Sequence, residues 1–182
     1  MRLPADAVLL VIDAEDPPGR SRQGPALEAE RNIAALVAAW RAEGLPLTHV
    51  GRTASPPAIP PLGGEIVIVR KATSAFVGAD LEARLDELGA TTLVLCGTLA
   101  SRALEASAMH AADLGYQLFV VADACSAVDA VDLTGRLWPA EDVRALALAH
   151  LNRETATIVD VATALRAAAT AKARERRRAG RG

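Results

Sequence analysis

Short apolar runs rich in β-branched residues recur at 7–12 (AVLLVI), 47–50 (LTHV), 66–69 (IVIV), 92–96 (TLVLC), 118–121 (LFVV) and 156–159 (ATIV). Between them, apolar positions repeat with the period of a helix at about 26–43, 79–88, 101–114, 140–152 and 160–173. Strands that are apolar throughout need cover on both faces, and their alternation with helices is the pattern of a parallel sheet. The pattern predicts a three-layer α/β/α sandwich around a six-stranded, mainly parallel, Rossmann-like sheet. Gly44, Gly89 and Gly115 each end a helical stretch shortly before a strand, as a left-handed cap requires. Two Pro/Gly loops, EDPPGRSRQGP and GRTASPPAIPPLGG, follow strand ends and so lie on the side where open parallel sheets bind ligands. With no internal repeat and no long linker, one domain is expected over 1–170, followed by a basic, disordered or fraying tail over 171–182.

Composition narrows the class. A chain of 182 residues with 51% hydrophobic content can bury a sizeable core. No apolar run reaches the roughly 20 residues that span a bilayer, and MRLPADAVLLVIDAED carries acids where a signal peptide needs its cleavage site. A cytoplasmic protein without membrane association is the expectation. Cys96 and Cys125 each end an apolar run, which suits buried thiols rather than a disulfide. His49, His110 and His150 lack ligand-like spacing, so neither a metal nor another cofactor is expected. Net charge is -2, yet from Arg166 onward there are seven Lys/Arg and one acid, which leaves an acidic body. A short basic cluster without aromatics is the solvated end of a helix rather than a nucleic-acid surface.

The stretch GTLASRALEASAMHAADLGY (97–116) is laid out like a catalytic elbow, with a strand-ending glycine, a short loop and then an amphipathic helix. Its first turn offers Arg102, Ala103 and Leu104, none of which is a nucleophile. Asp13 directly follows the first strand and Lys71 the third, and in a doubly wound sheet both can meet the 97–103 turn in one crevice. A carboxylate, an ammonium and a helix N-terminus then become neighbours. An acid or base just past a strand is, taken alone, usually a solvated loop residue, and it is the conjunction that points to a site.

VLLVID, VRKATSAFVGADLEARL and LVLCGTLASRALEASAMHAADLGYQLFVVADACSA together resemble the isochorismatase-like hydrolases, also called the cysteine hydrolase superfamily, over about residues 7–160. That family includes nicotinamidases, N-carbamoylsarcosine amidases and isochorismatase. The resemblance matches Asp13 to the catalytic aspartate, Lys71 to the catalytic lysine and Ala103 to the position of the cysteine nucleophile. It also implies a non-proline cis peptide at Thr98–Leu99, with the N–H groups of Leu99 and residue 103 forming an oxyanion hole. In the amidases the aspartate takes the thiol proton and the thiolate forms an acyl-enzyme, a route that Ala103 closes.

Other departures bear on activity. Ala14-Glu15 stands where the family commonly has Met-Gln, and THVGRTASPPAIPP lacks the metal ligands of nicotinamidases. Cys96 and Cys125 are not expected to substitute for the missing thiol. Three readings stay open: an amidohydrolase frame without its nucleophile, a cysteine-independent hydrolase in which Asp13 is a general acid on a vinyl ether, and a binding or scaffold protein without catalysis. For the small-molecule substrate, Arg52 is a candidate carboxylate clamp or a solvated loop arginine. Phe76 and Leu99 are candidate apolar walls, while Trp138 either reaches over the site or packs under its own helix. The alanine-rich helices at 101–114 and 140–173 offer surface for a homo-oligomer.

Overall fold

Along β1 (Val8–Ile12) successive side chains leave on opposite faces, so that Val8, Leu10 and Ile12 join one buried cluster while Leu9 and Val11 join another. In β4 (Thr92–Thr98), Leu93 and Leu95 face the first cluster and Val94 and Cys96 the second. Strands with no exposed face belong in the middle of a sheet clad on both sides, and these two are neighbours there. The structure, a computed structural model, describes residues 1–14, 25–52, 59–98 and 102–179.

After β1 come α1 (Pro25–Glu43), β2 (Leu47–Gly51), β3 (Ile66–Val69) and α2 (Leu81–Glu87). β4 leads to α3 (Ala103–Asp113), β5 (Gln117–Ser126), and a hairpin of β6 (Ala130–Val131) and β7 (Leu137–Trp138). The chain closes with α4 (Ala140–Leu151), β8 (Thr157–Val159) and α5 (Val161–Ala179). Six parallel strands form one sheet in the order β3-β2-β1-β4-β5-β8. Leu81, Leu85, Leu104, Ala108 and Leu151 of α2, α3 and α4 cover one face. Ile33, Leu36, Trp40, Ala164 and Ala168 of α1 and α5 cover the other. This is the α/β/α sandwich that the apolar pattern predicts.

From β1 the chain steps outward to β2 and β3, then returns on the other side of β1 as β4. The order therefore reverses between β1 and β4, and open sheets of this kind bind ligands outside the strand ends at such a point. The two backbones come very close there. Gly97 has φ 134°, and a Cβ at this position would collide with the Ile12 carbonyl oxygen, so only glycine fits.

Three features depart from the apolar pattern. β5 continues past residue 121 to Ser126, because Leu95 pairs with Val120 while Gly97 pairs with Cys125, which leaves extra residues on β5 as a bulge. That bulge is held from three elements. The Asn32 side chain donates to the Asp123 carbonyl (2.7 Å), Arg144 donates to the Ala122 carbonyl (3.1 Å), and the Val161 N–H donates to the Asp123 carboxylate (2.8 Å). The β6–β7 hairpin is organised by Asp132, whose carboxylate accepts from the Thr134 N–H and hydroxyl, the Arg136 N–H and the Trp138 indole. These bonds, the Thr134 hydroxyl first, lower the Asp132 pKa to about 2. Finally, α5 continues through most of the segment expected to be a tail, as far as Ala179. Among the described residues no helix is long and apolar enough to cross a membrane.

Candidate active site

β1 delivers Asp13 to the switch point. Its N–H still donates to the Val50 carbonyl (2.8 Å), but its φ is 49°, a left-handed conformation. Such strain costs on the order of 1–3 kcal/mol and concentrates at functional sites. Asp13 is 6% exposed and is gripped by Arg70, 7% exposed. Arg70 Nε donates to Oδ1 (2.8 Å), Nη2 donates to Oδ2 (2.6 Å), and Nη1 donates to the Ala72 carbonyl (2.9 Å). This is a planar fork on a buried carboxylate.

The sequence pattern sets Lys71 beside Asp13, and the structure corrects the pairing. In β3, Ile68 is buried while Val67 and Val69 are exposed. The two-residue alternation carries Arg70 inward with Ile68 and turns Lys71 outward with Val69. Lys71 is exposed, its aliphatic stem lying beside Gly78. The signal is present in IVIVRK, but it needs the knowledge that β3 is an edge strand with one face uncovered.

The sheet register lines up two further polar residues. Ile12 pairs with Gly97, Gly97 with Cys125, and Thr98 with Ser126. One residue past Ile12, Asp13 therefore comes level with Thr98 and Ser126 across three neighbouring strand ends. The Thr98 and Ser126 hydroxyls are 3.2 Å apart. Ser126 escapes sequence reasoning because the β5 bulge, which is invisible in the apolar run, sets its register.

Ala103 opens α3, preceded by Arg102 with φ 55° and no side-chain cap. Ala103 has no exposed surface and shares a core cluster with Ile12, Ala75 and Phe76. Where the resemblance puts a thiol, the chain packs a methyl group. The other thiols do not replace it, because both are buried. Burial pushes the Cys96 pKa well above its ordinary value and the Cys125 pKa up to about 12. Both therefore stay protonated at neutral pH. Leu99, and with it the Thr98–Leu99 peptide, lies outside the described residues.

The remaining candidates are placed as follows. Phe76 is 7% exposed and belongs to the core, its ring centroid 5.4 Å from that of His110 and 6.2 Å from that of Tyr116. Its loop is fastened to α3, with the Ala75 N–H donating to the Ser107 hydroxyl (2.9 Å) and Ser74 Oγ lying 3.2 Å from His110 Nδ1. Phe76 thus packs in the same cluster as Ile12 and Ala103 beside the switch point. Trp138 stays in its own hairpin, where its indole donates to Asp132 (3.0 Å) and the Arg136 guanidinium lies 4.1 Å from its ring centroid. Arg52 is exposed at the end of β2 and lines a cavity of about 90 Å³ with His49, Ile59, Pro61, Val67 and Val69. Ala14 also reaches this cavity, whereas Asp13 and Ala103 are not among its described lining residues. Below it, Glu65 accepts from Arg41 Nε (2.7 Å) and Nη2 (3.0 Å) and lies 2.8 Å from His49 Nε2. Among the described residues no three His, Cys, Asp or Glu side chains are grouped to hold a metal ion.

Comparison with known proteins identifies the family and the fold. Residues 7–163 match the Isochorismatase domain, an interval that takes in Asp13, Arg70, Thr98, Ala103 and Ser126. The uncharacterized isochorismatase family protein YddQ of Bacillus subtilis is 30% identical over 169 residues, covering 82% of this chain and 93% of the relative. A putative hydrolase of the isochorismatase family from Chromobacterium violaceum superposes with a TM-score of 0.83 at 32% identity, over 93% of this chain and 97% of that one. An isochorismatase from Pseudomonas putida gives 0.76 at 30% identity, over 90% and 92%. With a family match along most of its length and a switch point furnished as described, the chain belongs to the isochorismatase family of hydrolases.

Proposed function

We propose that this chain hydrolyses a small molecule at the carboxyl ends of β1, β4 and β5 by a route without a thiol intermediate, with Asp13 moving the proton and water as the nucleophile. The buried Asp13–Arg70 pair carries this reading. Removing a carboxylate and a guanidinium from water costs several kcal/mol per ion, and an apolar contact would tie β1 to the loop after β3 without that cost. A charged pair kept at the switch point, on strained backbone, fits proton transfer better than bracing.

In this scheme Arg70 holds the plane of the Asp13 carboxylate. Asp13 accepts a proton as water attacks a carbonyl carbon, the first-turn N–H groups of α3 face the developing oxyanion, and the proton then passes to the leaving group. A second reading is favoured by the likeness to the Pseudomonas putida isochorismatase. There a protonated Asp13 would give its proton to the carbon of a vinyl ether, and water would add to the resulting cation.

The test offers the purified protein nitrophenyl esters, small amides and a vinyl ether. Ester or amide turnover that Asp13→Asn removes supports the first scheme, and turnover of the vinyl ether alone supports the second. If no compound turns over but one raises the melting temperature saturably, the chain is a binding protein.

A further inference from the structure

We infer that the cavity over β1, β2 and β3 is a separate ligand site, built for a small uncharged molecule with an apolar body and one hydroxyl or N–H group that donates to His49 Nδ1. Asp13 and Ala103 are not among its described lining residues, so the inference does not rest on the proposed reaction. The sheet register makes the cavity. Val11 pairs with His49 and His49 with Val67, so these three side chains stand in one row on one face. Two residues further on, Val69 pairs with Gly51, which has no side chain to fill the next row. Ala14 and Ile59 complete the walls, while Val67 and Val69, exposed by 56% and 45%, form an apolar lip. The volume of about 90 Å³ takes a handful of non-hydrogen atoms.

His49 sets the chemistry of the ligand. It is 6% exposed, and its Nε2 lies 2.8 Å from Glu65 Oε2. Glu65 also accepts from Arg41 and from the Leu62 N–H, and the Arg41 hydrogen bond, ahead of the other contacts, holds its pKa at about 2. An ionised carboxylate only accepts, so Nε2 carries the hydrogen, and in the neutral ring Nδ1 is left as an acceptor. Among the described residues Nδ1 has no hydrogen-bond partner. The side-chain atom among them that is both enclosed and unpartnered is Thr48 Oγ1, so Nδ1 reaches open space, and for a residue so buried that space is the cavity it lines. A water molecule there needs about two to four polar partners, and the valine and isoleucine side chains supply none. Arg52 stands exposed at the rim with an interaction of its own, which leaves the interior to an uncharged molecule with a single donor.

Phenol is the probe, and toluene, of nearly the same shape but without a donor, is its control. Long-range ¹H–¹⁵N spectra of the histidine-labelled protein at about pH 8, above the ordinary histidine range, read both the tautomer and the bond, and the Val69 methyl signals follow either ligand. His49 should carry its hydrogen on Nε2, and phenol should shift Nδ1 saturably with a dissociation constant of roughly 1–10 mM, as so small a ligand allows. Toluene should bind about tenfold or more weakly, because it leaves the acceptor unpaired. Gly51 is not on left-handed backbone, so Gly51→Val keeps the strand, fills the empty row and should abolish the shift while circular dichroism stays native. A hydrogen on Nδ1, a shift that never saturates, toluene bound as well as phenol, or a folded Gly51→Val that still binds would each overturn the inference. The phenol–toluene comparison needs no variant, and it decides the matter should Gly51→Val fail to fold.

Discussion

Among the described residues, Arg41 grips Glu65 (2.7 and 3.0 Å) and Arg70 grips Asp13 (2.8 and 2.6 Å) in the same forked way. Their surroundings differ. Glu65 also accepts the Leu62 N–H (2.9 Å), and Arg41 Nη2 also donates to the Pro60 carbonyl (2.9 Å), so that fork fastens the approach to β3 onto α1. Asp13 stands on left-handed backbone at the chain reversal, one residue past the Ile12–Gly97–Cys125 row of the sheet, as Thr98 and Ser126 are on the neighbouring strands. One hydrogen-bonded arrangement therefore reads as a strut in one place and as candidate chemistry in the other. Backbone strain and topology, not the pair itself, make the distinction.

The sharpest way to break the comparison is to neutralise each acid. Asp13→Asn is expected to lower turnover by about 10²–10⁴-fold, the usual worth of general acid–base catalysis, whereas Glu65→Gln should leave turnover intact. Equal losses in steady-state assays would make both pairs structural. Next in size is the removal of each arginine. Arg70→Ala strands a buried carboxylate and should cost about 3–5 kcal/mol, a drop in melting temperature on the order of 10 °C. Arg41 is 27% exposed, so Arg41→Ala should cost much less, and calorimetry of the two variants checks the order.

A smaller effect separates the forks by pH. The hydrogen bond from Arg41, ahead of the other contacts, lowers the Glu65 pKa from 4.5 to about 2. Its ionised form therefore stabilises the fold above pH 4.5, and that contribution disappears as pH falls toward 2. The gap in melting temperature between wild type and Glu65→Gln should be constant near neutrality and narrow below pH 4.5, and a gap unchanged at low pH would refute the strut. The smallest expected change is Ser126→Ala, which removes the hydroxyl facing Thr98. It should cost about 0.5–1.5 kcal/mol in thermal unfolding, and a larger effect on KM than on stability would place Ser126 against substrate.

Much of the fold is legible in the chain. The helix expected at 26–43 is observed as Pro25–Glu43, and the one expected at 101–114 as Ala103–Asp113. The apolar runs at 7–12 and 92–96 are the central strands because continuous burial leaves a strand no other place. Less of the site is legible. Asp13 stands out because it ends an apolar run, a local signal. Arg70 is hidden behind its neighbour because RK following IVIV is symmetrical until one face of β3 is known to be bare. Ser126 lies beyond Asp123, where polarity marks an apparent strand end, although that same side chain secures the bulge by accepting the Val161 N–H.

The sequence by itself determined the layers, the parallel sheet, the glycine at position 97 and the lack of a nucleophilic side chain at position 103, because side-chain type and spacing dictate these locally. Only the tertiary structure decided which cation meets Asp13, which residues of β4 and β5 end beside it, and that Trp138 bonds within its own hairpin. Those outcomes depend on strand order, register and a bulge held from α1, α4 and α5. Contacts between residues far apart in the chain have no periodicity for a sequence to display.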